Sequence, residues 1–181
     1  MKPAPWRVVG SETIIADRWI RLRADDCRDA QGRTIAPYYV LEHRDWISLL
    51  ALTPGGDAIL VEEYRHGAGI VAPGAIGGVT EPGESPADAA RRELLEETGY
   101  EAGELIDLGA TWANFGSHTN RVHHFLAAGC ARVTDQTLDD TETIDVLVVP
   151  FEGVESRLSQ SYHLLTWFKA QAHLNATQKA E

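Results

Sequence analysis

Three glutamates, Glu93, Glu96 and Glu97, lie within five residues of one predicted helix, shortly after a glycine-rich stretch that ends at Gly78. At about 100° per residue, their side chains fall within an arc of roughly 100° on one helix face. Like charges at this spacing repel each other and weaken a helix. Clustered carboxylates beside an accessible backbone carbonyl suit hard divalent cations such as Mg²⁺, which also takes water and phosphate oxygens as ligands. The cluster therefore indicates either a cation site or a solvated acidic face.

The helix that carries these acids has sequence signals at both ends. Ser85 is a good N-cap, Pro86 fits the first helical position, and Asp88 lies favourably near the positive end of the helix. Gly99 fits the left-handed position that ends many helices. The sequence therefore predicts a helix from about Pro86 to Thr98.

The neighbours of the glutamates favour a cleft over open solvent. Ala90 and Leu94 lie to one side of the acidic arc, where they can meet the core. Arg92 can pair with Glu96 at the i,i+4 spacing, but this pair neutralises only one of the three acids. The stretch "GAGIVAPGAIGG" is predicted to be a glycine-rich loop, whose backbone can approach a ligand or an ion closely.

The rest of the chain is predicted to be mostly strands, with two later helices. Residues 1–45 are predicted to form a β appendage, residues 46–175 the main domain, and residues 176–181 a polar tail. "RDAQGR" and "PGGD" have the composition of hairpin turns. The predicted strands are "TIIADRWIRLRADDC", "RTIAPYYVLEHR", "WISLLALT", "AILVEEYRH", "LIDLGATWA", "RVHHFLAAGCA" and "TIDVLVVPF", and the predicted helices are the short "FEGVESRLSQ" and the longer "SYHLLTWFKAQAHL".

The composition is that of an ordinary globular domain. Of the 181 residues, 44% are apolar and 24% are charged, and no apolar run is long enough to span a bilayer. The N-terminus lacks the apolar core of a signal peptide, and Cys27 and Cys130 fit no metal or redox spacing, so we expect a cytoplasmic protein with buried thiols. The net charge of −11 argues against long nucleic acid as a partner.

The spacing from Gly78 onward resembles the Nudix box. Five residues separate Gly78 from Glu84, and seven more precede "RELLEETGY", which reads Arg, Glu, aliphatic, any, Glu, Glu, any, Gly and apolar. The resemblance implies an α/β fold, an α/β/α sandwich around a mixed sheet with an N-terminal β-strand appendage. It also implies hydrolysis of a nucleoside diphosphate linked to a further group X.

The resemblance implies roles for the acids around the box. Glu93 and Glu97 would be the principal metal ligands, with Glu96 a further ligand or a support. The backbone carbonyl of Gly77 would complete the site. The metal would be Mg²⁺, or alternatively Mn²⁺.

The remaining box residues would shape the site. Gly78, Glu84 and Gly99 would be structural, orienting the loop and the helix. Arg92 would orient the acids, so that Arg92 and Glu96 are the catalytic candidates on the helix.

The segment "VEEYRHGAG" resembles ADP-ribose pyrophosphatases and related sugar-nucleotide pyrophosphatases. In that branch Arg65 would bind a phosphate, which suits the fork of a guanidinium. The alternative is an ion pair with Glu62 or Glu63. The chain departs from the branch before the box, where relatives usually carry a Glu and a Pro and this chain has Gly74 and Ile76.

The N-terminal strand pair also resembles this branch, in which it supports a homodimer and contributes to the base pocket. Trp19, Tyr38 and Trp46 are the aromatic candidates for stacking on a base. Packing in the core or in an interface is the alternative for each of them. His123 and His124 are adjacent on a predicted strand and face opposite sides, so we interpret them as structural.

The reaction needs a base that takes a proton from the attacking water. In this branch the base comes from a late loop before a strand, which here reads "LDDTETIDV". Glu142 matches best and Asp140 is the second candidate. A solvated acidic turn is the alternative.

The sequence therefore predicts Mg²⁺-dependent hydrolysis of ADP-ribose or a similar nucleoside diphosphate sugar to a nucleoside monophosphate and a sugar phosphate. The substrate would be a small nucleotide, without nucleic-acid or membrane partners. One alternative is a Nudix enzyme for nucleoside triphosphates, dinucleoside polyphosphates, NADH or coenzyme A. Another is a non-catalytic sensor that binds a nucleotide metabolite.

Overall fold

Strands dominate the computed structural model, which describes residues 2–179. The contacts divide the chain into two units. The first consists of the chain up to Arg44 together with Trp112–Arg121, and the second of Asp45–Thr111 together with the chain from Val122 onward. The strands are β1 Arg7–Ala16, β2 Arg21–Arg28, β3 Thr34–Leu41, β4 Trp46–Leu52, β5 Ala58–Arg65, β6 Ile70–Gly74, β7 Ile76–Val79, β8 Tyr100–Glu101, β9 Glu104–Trp112, β10 Arg121–Ala128, β11 Ala131–Arg132 and β12 Ile144–Val149.

The first unit is built on an antiparallel sheet in the order β1-β2-β3. The predicted strand "TIIADRWIRLRADDC" is two strands, because Asp17 closes a turn by accepting hydrogen bonds from the N–H groups of Trp19 and Ile20. The predicted "RDAQGR" hairpin turn is confirmed. Asp29 accepts from the N–H groups of Gln31 and Arg33 there.

The second unit contains a seven-stranded mixed sheet with the order β12-β5-β4-β10-β9. β4 runs parallel to β10 and antiparallel to β5, and β5 is antiparallel to β12. All of β4 after Trp46 is buried, as expected for a strand covered on both faces.

This sheet divides where the site residues lie. β4 and β5 pair with each other only near one end, at Ala51–Ile59 and Leu52–Ala58. Further along, β7 pairs with β4 and β6 pairs with β5, so that β6 and β7 lie inside the division. The prediction of one loop over "GAGIVAPGAIGG" is therefore wrong for most of the segment, because pairing with two remote strands outweighs its glycines and proline.

The two faces of the sheet have separate cores. Leu49 and Ala51 of β4 belong to a cluster with Ala90 and Leu94, whereas the alternate residues Leu50 and Leu52 point into a second cluster. That second cluster contains Trp167 and Ala170 from the C-terminal helix. The predicted α/β/α sandwich is confirmed.

Helix α1 spans Pro86–Thr98, as predicted. The hydroxyl of Ser85 accepts from the N–H of Asp88 at 3.1 Å. Gly99 has φ +75° and its N–H donates to the Leu95 carbonyl at 2.8 Å. These contacts fix the two ends of the helix, and hence the direction in which its acidic face points.

Helix α2 spans Ser161–Gln178 and extends into the predicted tail, of which residues 180 and 181 lie outside the described part. Ala176 and Gln178 are good helix formers, which accounts for this extension. The predicted short helix "FEGVESRLSQ" is instead two 3-10 turns, Phe151–Gly153 and Glu155–Arg157. Among residues 2–179, neither helix combines the length and the apolar character needed to cross a bilayer.

Candidate active site

The acidic face of α1 turns two of its three glutamates away from solvent. The side chain of Glu93 is 14% exposed and Glu97 is 7% exposed, whereas the Glu96 side chain is 44% exposed. Ala90 and Leu94, next to the acids on the helix, are buried in the core. Glu93 and Glu97 therefore line a recess, and the solvated-face alternative applies only to Glu96.

Arg92 connects the helix with the loop before it. Its guanidinium donates to both carboxylate oxygens of Glu84, at 2.8 and 3.1 Å, and to the Val79 carbonyl at 3.2 Å. It also donates to Glu93 at 2.9 Å and to Glu96 at 3.1 Å. The hydrogen bond to Glu84 is the main reason that the pKa of Arg92 is raised, with Glu93 and Glu96 contributing further. The guanidinium of Arg92 thus orients the loop and two of the acids.

Two glycines of β7 lie directly beside the acids. A Cβ on Gly78 would overlap the carboxylate of Glu93, so only glycine allows this approach. The backbone N–H of Gly77 donates to Glu97. Strand β7 thus places the carbonyl-bearing backbone at Gly77 and Gly78 directly against the two buried carboxylates.

The two buried carboxylates are poorly compensated. Oε2 of Glu97 is buried and has no hydrogen-bond partner among the described residues. Burial raises the pKa of Glu97 to about 9, and the charges of Glu93 and Glu63 add to the shift. Burial also raises the pKa of Glu93 to about 7, against the lowering effect of Arg92 and with repulsion from Glu96 and Glu142. The raised pKa values show that the charged forms of both carboxylates lack compensation in the recess, and a bound cation would supply that compensation.

Glu142 adds a further negative charge near Glu93. It lies two residues before β12, and its carboxylate is close enough to Glu93 to raise the pKa of that group. Oε2 of Glu142 accepts from the N–H of Asp139 at 3.2 Å. Asp140, the second candidate base, lies exposed in the same turn. Both residues stay candidates for the base, and the charge of Glu142 acts on Glu93.

A fourth acid near the recess, Glu63, was missed by the sequence reasoning as a site residue. Val61, Glu63 and Arg65 alternate along β5 and share the face that packs toward α1. Oε1 of Glu63 lies 2.6 Å from Nη2 of Arg65. The predicted alternative, an ion pair of Arg65 with a neighbouring acid, is thus present, while phosphate binding by Arg65 stays a prediction.

The residues present fit a divalent cation in donor chemistry. Carboxylate and carbonyl oxygens are the ligands that Mg²⁺ and Mn²⁺ take, and Oε2 of Glu97 is an orphaned buried acceptor. Within residues 2–179, no three His, Cys, Asp or Glu side chains converge into a ready-made ligand set. Arg92 occupies Glu93 and Glu96 instead, so binding a cation requires their carboxylates to turn.

The predicted aromatic residues of the first unit lie away from its core. Trp19 is 74% exposed, and the guanidinium of Arg18 lies 4.3 Å from its ring centroid. The ring of Tyr38 packs edge-on against Trp6 at 5.5 Å, and its hydroxyl donates to the Gly116 carbonyl. Both residues stay candidates for stacking on a base.

His123 and His124 have separate structural contacts, as their opposite orientations predict. Nε2 of His123 lies 2.8 Å from Oδ2 of Asp45. His124 is fully buried, with its two ring nitrogens 2.9 Å from Thr111 Oγ1 and 2.8 Å from Thr166 Oγ1. His124 shares the face of Leu126, which packs in the cluster with α2.

The comparisons with known proteins identify the family and agree with the fold. The model of the NUDIX domain matches residues 42–168, and that of the nucleoside diphosphate sugar hydrolase N-terminal domain matches residues 6–41. The ADP-ribose pyrophosphatase of Bacillus subtilis is 30% identical over 162 residues, which cover 87% of each chain. The methanol dehydrogenase activator of Bacillus methanolicus is 28% identical over 142 residues, which cover 78% of this chain and 76% of that protein.

A solved structure described as an ADP compounds hydrolase superposes with a TM-score of 0.85 and 18% identity, covering 98% of both chains. At this identity the likeness shows the fold alone. The chain belongs to the Nudix family, which confirms the predicted family, fold class and enzyme class.

Proposed function

We propose that the protein hydrolyses the pyrophosphate bond of a nucleoside diphosphate sugar, foremost ADP-ribose, to a nucleoside monophosphate and a sugar phosphate. The observation that carries the chemistry is the buried, unpartnered Oε2 of Glu97 beside Glu93 in the Nudix box. The match of residues 6–41 to a nucleoside diphosphate sugar hydrolase domain supports the substrate class, and the B. subtilis relative supports ADP-ribose within it.

The site residues divide the work. Glu93, Glu97 and the Gly77 carbonyl would hold a divalent cation, Mg²⁺ or Mn²⁺, which neutralises phosphate charge and lowers the pKa of the attacking water. Arg65 binds a phosphate oxygen. Arg92 holds Glu96 and Glu93 in orientation through the contacts at 3.1 and 2.9 Å.

Glu142 acts as the general base in this proposal. As the water oxygen forms its bond to phosphorus, the carboxylate of Glu142 takes the proton, and the bond from phosphorus to the bridging oxygen breaks. Two phosphate monoesters leave the site. The exposed position of Glu142 at the edge of the recess lets it protonate and release its proton to solvent.

The first experiment is a product analysis with Mg²⁺ and a panel of ADP-ribose, ADP-glucose, GDP-mannose, NADH, diadenosine polyphosphates and nucleoside triphosphates. We expect AMP and ribose 5-phosphate, formed fastest from ADP-ribose. Faster turnover of nucleoside triphosphates or dinucleoside polyphosphates would contradict the substrate class. ADP-ribose binding without turnover of any compound would identify a sensor instead.

A cytoplasmic homodimer stays part of the proposal. The homodimer is supported by the resemblance of the N-terminal strand pair to the ADP-ribose pyrophosphatase branch. Light scattering on the purified protein would measure the mass against the 19.9 kDa of one chain.

A further inference from the structure

A small cavity adjoins the backbone of Gly77 and Gly78. Its volume is about 170 Å³, and its other lining residues come from four elements: Trp46 and Ile47 of β4, Arg65 of β5, Val79 of β7, and Tyr162 and His163 of α2. Neither Tyr162 nor His163 entered the site described above. Their position next to the proposed cation-binding backbone makes them neighbours of a bound substrate.

The wall formed by α2 is firmly held. His163 is 4% exposed and packs against the space left by Gly74, where an added Cβ would lie 2.8 Å from Cε1 and 2.9 Å from Nδ1 of the ring. The carbonyl of Tyr162 accepts from Thr166 Oγ1 at 2.8 Å, and Thr166 is tied to Ser48 of β4 at 2.7 Å. The first turn of α2 is thus fixed against the sheet, and Gly74 is the position that admits the imidazole.

The cavity combines an apolar surface with groups that recognise hydroxyls. The Trp46 ring offers a flat apolar face, and the hydroxyl of Tyr162 can donate and accept. Burial lowers the pKa of His163 to about 3, so its ring is neutral at pH 7 and carries one donor and one acceptor. Arg65 adds a cation at the edge, suited to the phosphate that adjoins a sugar.

The ring geometry argues against a stacked base. Trp46 and Tyr162 have centroids 6.0 Å apart and planes at 49°, and Tyr162 and His163 stand at 89° to each other. A base between two rings needs roughly 7 Å, twice the optimal carbon–carbon distance, and parallel planes. The volume of about 170 Å³ is also below the ~300 Å³ at which drug-sized ligands begin to fit. The side-chain rings of Trp46, Tyr162 and His163 therefore form a concave surface that fits one non-planar ring of a ligand.

We propose that this cavity binds the sugar ring of group X, with Trp46 packing against the ring and Tyr162 and His163 hydrogen-bonding to its hydroxyls. Tyr162 and His163 are then specificity-determining residues for a sugar attached to the distal phosphate, and Arg65 holds that phosphate. This inference rests on the proposed function, since it names the part of a nucleoside diphosphate sugar that each side chain contacts.

The test compares two substrates, ADP-ribose and ADP esterified with methanol, which keeps the pyrophosphate but has no sugar ring. Tyr162→Phe and His163→Gln are compared with His173→Gln, a half-buried histidine further along α2. We expect each cavity variant to lower kcat/KM for ADP-ribose about tenfold, as losing a substrate hydrogen bond does, and to leave the methyl ester unchanged. His173→Gln should leave kcat/KM unchanged for both substrates.

Two results would overturn the inference while leaving the proposed function intact: equal effects on both substrates, or no effect on either. If the unmodified protein hydrolyses neither compound, the proposed function is wrong. The sugar cavity is then tested separately, by calorimetric titration of the protein with ribose 5-phosphate. Binding that is weakened about tenfold by Tyr162→Phe and His163→Gln, but not by His173→Gln, would support the sugar cavity. No binding, or equal binding by all variants, would reject it.

Discussion

Helix α1 and strand β10 each carry a buried titratable side chain, and the two side chains differ in whether their polar atoms are hydrogen-bonded. His124 on β10 has both ring nitrogens hydrogen-bonded, to Thr111 and to Thr166. The single proton of the Thr166 hydroxyl goes to the Tyr162 carbonyl, so the His124 Nδ1–H donates to Thr166. Glu97 on α1 is nearly as buried, yet Oε2 has no partner.

This difference distinguishes a polar group with a structural role from a polar group for which we propose a function. A buried polar network that is fully satisfied fixes the packing of its elements, whereas an unsatisfied buried carboxylate costs stability. Burial lowers the pKa of His124 to about 4, which keeps it neutral, and raises the pKa of Glu97 to about 9. The second cost falls on Glu97, for which we propose the role of a cation ligand.

The largest expected effect is on the acids of α1. Glu97→Gln and Glu93→Gln should each lower kcat by about three orders of magnitude or more, because each removes an anionic ligand from the proposed cation site. The folded state should survive, since neutral amides relieve the repulsion. Steady-state kinetics and circular dichroism measure the two effects.

Glu101→Gln is the matched control for these variants, because Glu101 is exposed just after α1. Its kcat should equal that of the unmodified protein. Near-normal turnover in both Glu97→Gln and Glu93→Gln would show that these carboxylates are not needed for catalysis. The proposed functional difference between them and His124 would then be wrong.

The second effect distinguishes base from ligand. Glu142→Gln should lower kcat by about 10²–10⁴-fold, the range for losing a general base. Its affinity for Mn²⁺, measured by calorimetry, should stay within about twofold, because Glu142 is not among the proposed ligands. Asp140→Asn is the comparison variant and should lose little activity. A large loss of Mn²⁺ affinity in Glu142→Gln would make Glu142 a ligand instead.

The third expected effect concerns the buried side chain of His124. His124→Ala should lower the free energy of unfolding by about 2–4 kcal/mol, because it removes the hydrogen bonds to Thr111 and Thr166 and opens a cavity in the core. Urea unfolding measures this change. kcat at a temperature where the variant is folded should stay close to that of the unmodified protein. A large loss of kcat with unchanged stability would show that the network serves the site directly.

The sequence allowed the helix and its acidic face to be predicted because their signals are local. Ser85 and Gly99 mark the ends of α1, and the periodicity of Glu93, Leu94 and Glu97 gives the orientation of its faces. Strands β6 and β7 could not be predicted, since they are stabilised by pairing with β5 and β4 rather than by their own composition.

The missed site residues have the same explanation. The alternation along β5 puts Glu63 on the face of Val61, but its influence on Glu97 depends on how α1 packs on the sheet. Likewise, Tyr162 and His163 read as ordinary positions of an amphipathic helix. Only the division of the sheet and the absence of a side chain at Gly74 bring them to the backbone of the site.

The smallest effect, and the one that tests both regions together, is the pH dependence of stability without metal. Glu93 and Glu97 have folded-state pKa values of about 7 and about 9, above the unfolded value of 4.5. The folded state therefore binds more protons than the unfolded state between pH 4.5 and about 9, and stability falls as the pH rises through this window. His124 has a folded-state pKa of about 4, below its unfolded value of 6.5, so stability falls as the pH drops from 6.5 to about 4.

The two opposite slopes place the maximum of stability between pH 4.5 and 6.5. Thermal unfolding in EDTA at a series of pH values should show it, with Glu97→Gln flattening the alkaline side by at least about 1 kcal/mol, since one pKa unit corresponds to about 1.4 kcal/mol. His124→Gln should flatten only part of the acid side, because Arg-paired carboxylates such as Asp25, whose pKa is lowered, add to the loss there. An alkaline slope that persists unchanged in Glu97→Gln would mean that the carboxylates of α1 are already compensated, and the contrast between the two regions would disappear.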